Sequence, residues 1–209
     1  MAKSDPTVPV ETELATDLTA IACLKQGNIT GLATLVQEYQ VDAVHAALLI
    51  VRDPALAEDI AQEAFLQAYR KIDQFDERRP FRPWLIRIVI NAALKTAERQ
   101  KRTTPLEEPR DGHRATEWLI DPASGPEMLV ETAETREMVW QALGRLTPQQ
   151  RAAVVMRYFL DANESEMVRA LNRPLTTVKW WLYSARQRLR TLLQPANRDG
   201  SEEQEAEHE

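Results

Sequence analysis

The 209-residue chain holds one cysteine, three histidines, six glycines and 6% aromatic residues. Each shortage excludes something. A lone Cys23 leaves no internal disulfide framework and no cysteine-cluster zinc site. His45, His113 and His208 are scattered, without metal-ligand spacing, so no metal or other cofactor is expected. The longest apolar run near the middle, Ala46 to Val51, falls far short of the roughly 20 residues of a membrane span. Met1 to Thr16 is polar and carries Pro6 and Pro9, without the basic-then-apolar pattern of a secretion signal. The expectation is a cytoplasmic protein. No Gly-rich phosphate loop, nucleophile elbow or convergent histidine–acid set is present, so the chain is not expected to be an enzyme. Scarce glycine, abundant Ala, Leu, Gln, Glu and Arg, and no period-2 alternation predict an all-α fold.

What is present is charge, unevenly placed. The net charge is -6, yet residues 78–102 carry eight bases and one acid, and residues 140–194 carry nine bases and three acids. Residues 16–77, 103–139 and 195–209 are acidic. An overall acidic balance therefore leaves room for nucleic acid at two local footprints, although a solvated helix face reads the same way for either block alone. The same alternation predicts that a closed form is possible, with the acidic 16–77 face or the tail over the basic 140–194 face.

Punctuation divides the chain. Residues 1–17 read as a disordered extension, 18–102 as a helical domain, 103–133 as an acidic flexible linker, 134–193 as a second helical domain and 194–209 as a disordered acidic tail. In the first domain Leu18, Ile21, Ala22 and Leu24 open an apolar face, and Val41 to Val51 form a central helix. Asp53-Pro54 starts the next helix, to about Ile72, and a further helix spans roughly Phe81 to Arg102. The linker holds Pro105, Pro109, Pro122 and Pro126, with one helical turn expected at Glu117–Ile120. Helical pattern resumes near Glu134, and Thr147-Pro148 caps a helix to about Tyr158.

Residues 163–171, a break at Asn172-Arg173-Pro174, and a basic helix from about Leu175 to Leu193 have the order of a helix-turn-helix. Met167, Leu171, Val178 and Leu182 are placed to pack the two helices together, and Asn172 suits a turn that needs positive φ. Thr176, Thr177, Lys179 and Trp180 then lie in the part that enters a major groove, with Arg186, Arg188 and Arg190 set for phosphates. An ordinary helical hairpin would carry the same pattern.

Ala142 to Arg151, Val154 to Phe159, Pro174 to Lys179 and Ala185-Arg186 resemble region 4 of bacterial sigma factors, most closely the extracytoplasmic-function group. Ala57 to Leu66 resembles region 2.2, and Phe75-Asp76, Arg79 to Ile88 and Asn91 resemble regions 2.3 and 2.4. The resemblance implies two small helical domains, a region 2 bundle and a region 4 helix-turn-helix, in a promoter-specificity subunit of RNA polymerase. Its partners would be core polymerase, through the β and β′ subunits, promoter DNA, and an anti-sigma factor. Glu58, Asp59, Gln62, Glu63, Phe65 and Leu66 would meet the β′ clamp helices, with Ile60 in the core. Arg79, Arg82, Trp84, Arg87, Asn91 and Lys95 would serve the -10 element and strand opening, although Trp84 also reads as core beside Leu85 and Ile88. Arg157, Arg173, Thr176, Thr177, Lys179, Trp180 and Arg186 would serve the -35 element.

Region 4 departs from the family. Asn172 and Thr176 stand where glycines are usual, Trp180-Trp181 replaces a Ser-Arg pair, and Ser184 replaces a base. Two aromatics in place of polar contacts could pack on the DNA backbone, on thymine methyl groups, or on a protein. Val178 and Leu182 favour Trp181 over Trp180 as the inward ring, while the helix phase leaves both open. Two other readings remain open: a degenerate sigma homologue that occupies polymerase without promoter recognition, and a helix-turn-helix regulator that binds DNA alone.

Overall fold

The computed structural model describes residues 8–103 and 126–193, and every regular element among them is helical. The first half comprises α1 (Val8–Lys25), α2 (Thr30–Val51), α3 (Pro54–Arg70), a 3₁₀ turn (Ile72–Gln74) and α4 (Phe81–Thr103). The second comprises α5 (Pro126–Gly144), α6 (Pro148–Tyr158), α7 (Glu164–Leu171) and α8 (Leu175–Leu193). No helix among the described residues is long and apolar enough to cross a membrane.

The stops and starts follow local chemistry. Asp53 accepts from the Leu56 amide at 3.0 Å, and Pro54 occupies the first turn of α3, where its missing N–H costs nothing. Thr147 with Gln150, and Asn163 with Glu166, form reciprocal capping boxes at the heads of α6 and α7. Asn172 closes α7 in the left-handed conformation, with φ of 50°, and returns its N–H to the Val168 carbonyl. Gly31 lets α1 and α2 cross closely, because a Cβ there would overlap the Ala20 carbonyl. The turn before α4 is pinned by Asp76. Its carboxylate accepts from the Arg78 amide at 3.2 Å and the Arg78 Nε at 2.8 Å, and these bonds hold its pKa down to about 2.

Two expectations give way. The first helix begins at Val8, so residues 8–17 are helical rather than disordered. Pro9 falls in the first turn, where proline suits a helix start, and a reading by hydrophobic pattern overlooked it. Likewise α5 begins at Pro126, eight residues before Glu134, where the second domain was expected to start. Residues 1–7, the expected helical turn at Glu117–Ile120 and the acidic tail lie outside the described residues.

α2 is the axis of the molecule, packed by α1, α3 and α4 on one side and by α6 on another. Leu35, Ala43, Ala46, Ala47, Leu48 and Ile50 make its buried face, while Val41 is exposed. α8 packs on α5, α6 and α7 in the second half. Met167, Leu171, Val178 and Leu182 are all buried, as the helix-turn-helix requires. One apolar cluster runs through both halves, from Ile21 to Leu182.

Candidate nucleic-acid interface

α8 presents the second helix of the helix-turn-helix to solvent. Val178, Leu182 and Ala185 bury one face, and Trp181 packs partly against the core. The opposite face carries Thr176, Lys179, Trp180, Tyr183 and Arg186. Trp180 is 61% exposed and Tyr183 63%. Lys179 Nζ lies 3.3 Å from a Glu164 carboxylate oxygen. Arg186 Nε donates to the Tyr158 hydroxyl at 3.0 Å, at the close of α6. Arg157 donates to the Ala162 carbonyl at 3.2 Å and thereby steadies the loop into α7. Arg173 is exposed in the turn, while Thr177 is half-buried. The structure thus brings Thr176, Lys179, Trp180 and Arg186 to one surface. Tyr183 and Tyr158 belong to it and escaped the sequence reading, although Tyr183 stands one helical turn beyond Trp180.

α4 is placed differently. Arg87, Asn91 and Lys95 recur every fourth residue and form one exposed row. Arg79 remains in the preceding turn, 3.5 Å from Asp76. Trp84 is half-buried, with its ring centroid 5.1 Å from Phe75 and 5.6 Å from Phe81, and so belongs to an aromatic cluster rather than to a free stacking surface. Arg82 is ion-paired with Asp42 of α2 and lies over the Phe159 ring, 4.9 Å from its centroid. The Asn91 amide donates to the Ala170 carbonyl of α7 at 3.2 Å. Hence Arg82 and Asn91 face the second half of the chain.

The seam between the halves has its own polar chemistry. Buried Arg151 of α6 donates to the Ile50 carbonyl at 2.9 and 2.6 Å and to the Leu146 carbonyl at 2.7 Å. Ile50 is among the last residues of α2, whose carbonyls have no intrahelical partner, so Arg151 caps α2 from across the seam. Burial, and then the neighbouring Arg52, push the Arg151 guanidinium down to about 10. Arg52 lies over Trp140 at 4.5 Å from the ring centroid, and its buried Nε has no partner among the described residues. The expected closed form set the acidic 16–77 face or the tail over the basic 140–194 face; among the described residues the seam is apolar, with arginines on carbonyls and rings, and the tail lies outside them. The sequence reading missed Arg151, because a base beside apolar residues on a helix reads as solvated.

α3 offers a third surface. Asp59, Gln62, Glu63 and Leu66 share an exposed face, and Glu63 pairs with Arg70 at 3.0 Å. Glu58 is half-buried at its edge. Phe65 must be removed from this set: only 4% exposed, it points into the core, half a turn away from Glu63. Ile60 is in the core, as expected.

A helical first half with a basic row, followed by a helix-turn-helix, defines a DNA-reading protein of two units. Sigma-70 region 2 matches residues 35–103, and Sigma-70 region 4 matches residues 136–189. The ECF RNA polymerase sigma factor SigW of Bacillus subtilis is 29% identical over 173 residues, which cover 81% of this chain and 92% of that protein. The ECF RNA polymerase sigma-E factor of Escherichia coli is 27% identical over 187 residues, covering 88% and 97%. Two solved structures share the fold. CnrH in complex with the cytosolic domain of CnrY has a TM-score of 0.54 and 24% identity, over 85% of this chain and 97% of that one. The Bartonella quintana sigma factor RpoE in complex with the anti-sigma factor NepR has a TM-score of 0.57 and 19% identity, over 78% and 98%. The chain belongs to the sigma-70 family, as a sigma factor of the extracytoplasmic-function group. Its function is that of a promoter-specificity subunit of RNA polymerase.

Proposed function

We propose that three surfaces divide this work. The α3 face of Asp59, Gln62, Glu63 and Leu66, with Glu58 at its edge, docks on core polymerase; mixed acidic and apolar chemistry suits a protein and repels DNA. The α4 row of Arg87, Asn91 and Lys95, with Arg79 and Arg82, meets the -10 element once the strands part. The α8 face of Thr176, Lys179, Trp180 and Arg186, joined by Arg157, Arg173 and the half-buried Thr177, meets the -35 element. The protein acts in the cytoplasm, catalyses no reaction of its own and is antagonised by an anti-sigma factor. The observation that carries this reading is the helix-turn-helix whose basic, acid-free second helix buries one face and presents the other to solvent.

Arg82 and Asn91 are engaged across the seam, so promoter opening requires the halves to separate. That engagement also favours a second reading, in which the chain occupies polymerase without initiating. Run-off transcription with bacterial core polymerase and a genomic fragment library separates the two. New transcripts that share a pair of upstream elements are the expected result. Core binding without transcripts selects the second reading, and no core binding removes both.

A further inference from the structure

The α8 reading face is chemically unusual. Trp180 and Tyr183 lie three residues apart, on adjacent turns of one helix face, and each is more than 60% exposed. Their phase is fixed, because Val178, Leu182 and Ala185 are buried on the other side and Trp181 packs on the core. Neither ring can turn inward without unwinding the helix-turn-helix.

The surroundings indicate what the rings meet. α8 contains no acid, and Lys179 and Arg186 flank the pair. Arg173 stands in the turn before it, and Arg157 and Tyr158 lie at the end of α6. A polyanion fits this frame, with the two rings at its centre. The N-terminal half of the second helix, where both rings stand, is the part that reaches base edges in a major groove.

An indole has one N–H donor and a phenol has one hydroxyl. Neither reproduces the two-pronged pairing by which Arg selects guanine or Asn selects adenine. What each offers is an apolar face. Among the base-pair edges in the major groove, the apolar group is the thymine C5-methyl. We propose that Trp180 and Tyr183 form an apolar reading face that selects thymine methyl groups in the upstream promoter element, while Lys179 and Arg186 hold the neighbouring phosphates. This inference rests on the promoter-binding reading above and adds its base preference.

Replacing thymine by deoxyuridine removes the methyl and leaves every hydrogen-bonding group in place. Run-off transcription first locates the upstream element. Each thymine in it is then replaced in turn, and binding of the polymerase complex containing the wild-type chain is measured. At one or two positions affinity should fall about threefold to fivefold, as expected for one apolar methyl withdrawn from a contact. With Trp180→Ala or Tyr183→Ala the same replacement should have no further effect. Both rings are exposed, so these variants keep the fold, which circular dichroism checks. Unchanged affinity at every deoxyuridine, with transcription intact, overturns the proposal and leaves the promoter reading standing. Loss of core binding by the Trp180→Ala variant also overturns it and assigns the face to a protein. An absence of transcripts from the wild-type chain overturns both readings together.

Discussion

The two basic helices face opposite circumstances. α4 meets a seam, where Arg82 lies over Phe159 and Asn91 is held by the Ala170 carbonyl, while Arg87 and Lys95 stay exposed. α8 carries its bases and rings into water. One helix is thus engaged at two side chains across a seam, and the other presents a whole face to solvent. The contrast teaches that similar charge does not give similar availability. α4 is flanked by apolar faces and serves the core, with Leu85, Ile86, Val89 and Ile90 fully buried. α8 is covered on one side alone.

The strongest way to break this contrast is Arg151→Ala. It strips a buried cation from two carbonyls, Ile50 and Leu146, and leaves both orphaned. Urea unfolding should show a loss of about 2–4 kcal/mol, and solution scattering should show an expanded particle with α4 uncovered. Asn172→Val acts on the other half. A β-branched residue at φ of 50° strains the turn, so the expected loss is about 1–2 kcal/mol, with the scattering profile unchanged. Should Asn172→Val expand the particle as much as Arg151→Ala, the seam is not what holds the halves. Asn91→Ala removes one exposed hydrogen bond across the seam. Stability should change by less than about 0.5 kcal/mol, while -10 strand capture by the polymerase complex falls.

The smallest effect concerns the approach to α4. Asp76 has its pKa depressed by Arg78, so its contribution is present above the ordinary carboxylate range and fades as pH falls from about 4 toward about 2. An Asp76→Asn chain should lack that step in an acid titration followed by circular dichroism, while the α8 half titrates as before.

Much of this was legible in the residues. Asp53-Pro54, Thr147-Pro148 and Asn172 marked real helix ends, because caps and the left-handed stop are local chemistry. The inward set of the helix-turn-helix and the turning of Trp181 toward it were readable from spacing. Phe65 was misplaced onto the α3 surface because its neighbours Glu63 and Leu66 are exposed, and helix phase had to be known within half a turn. Trp84 stayed ambiguous because its partner Phe75 lies in a turn that no periodicity describes. The seam was illegible. Its acceptors are backbone carbonyls, which every residue has, and the Arg151 side chain reaches one of them across a hundred positions of sequence.

That separation has a consequence for synthesis. The last turn of α2 receives its Arg151 donor from 101 residues further along the chain. At the roughly 5–20 residues per second of translation, the end of α2 waits on the order of 5–20 s for its cap. Arg82 and Asn91 of α4 are made within that interval, and they lack their partners until Phe159 and Ala170 follow. The newborn chain therefore passes through a period in which these two side chains of α4 are unengaged, and only the completed second half can hold them.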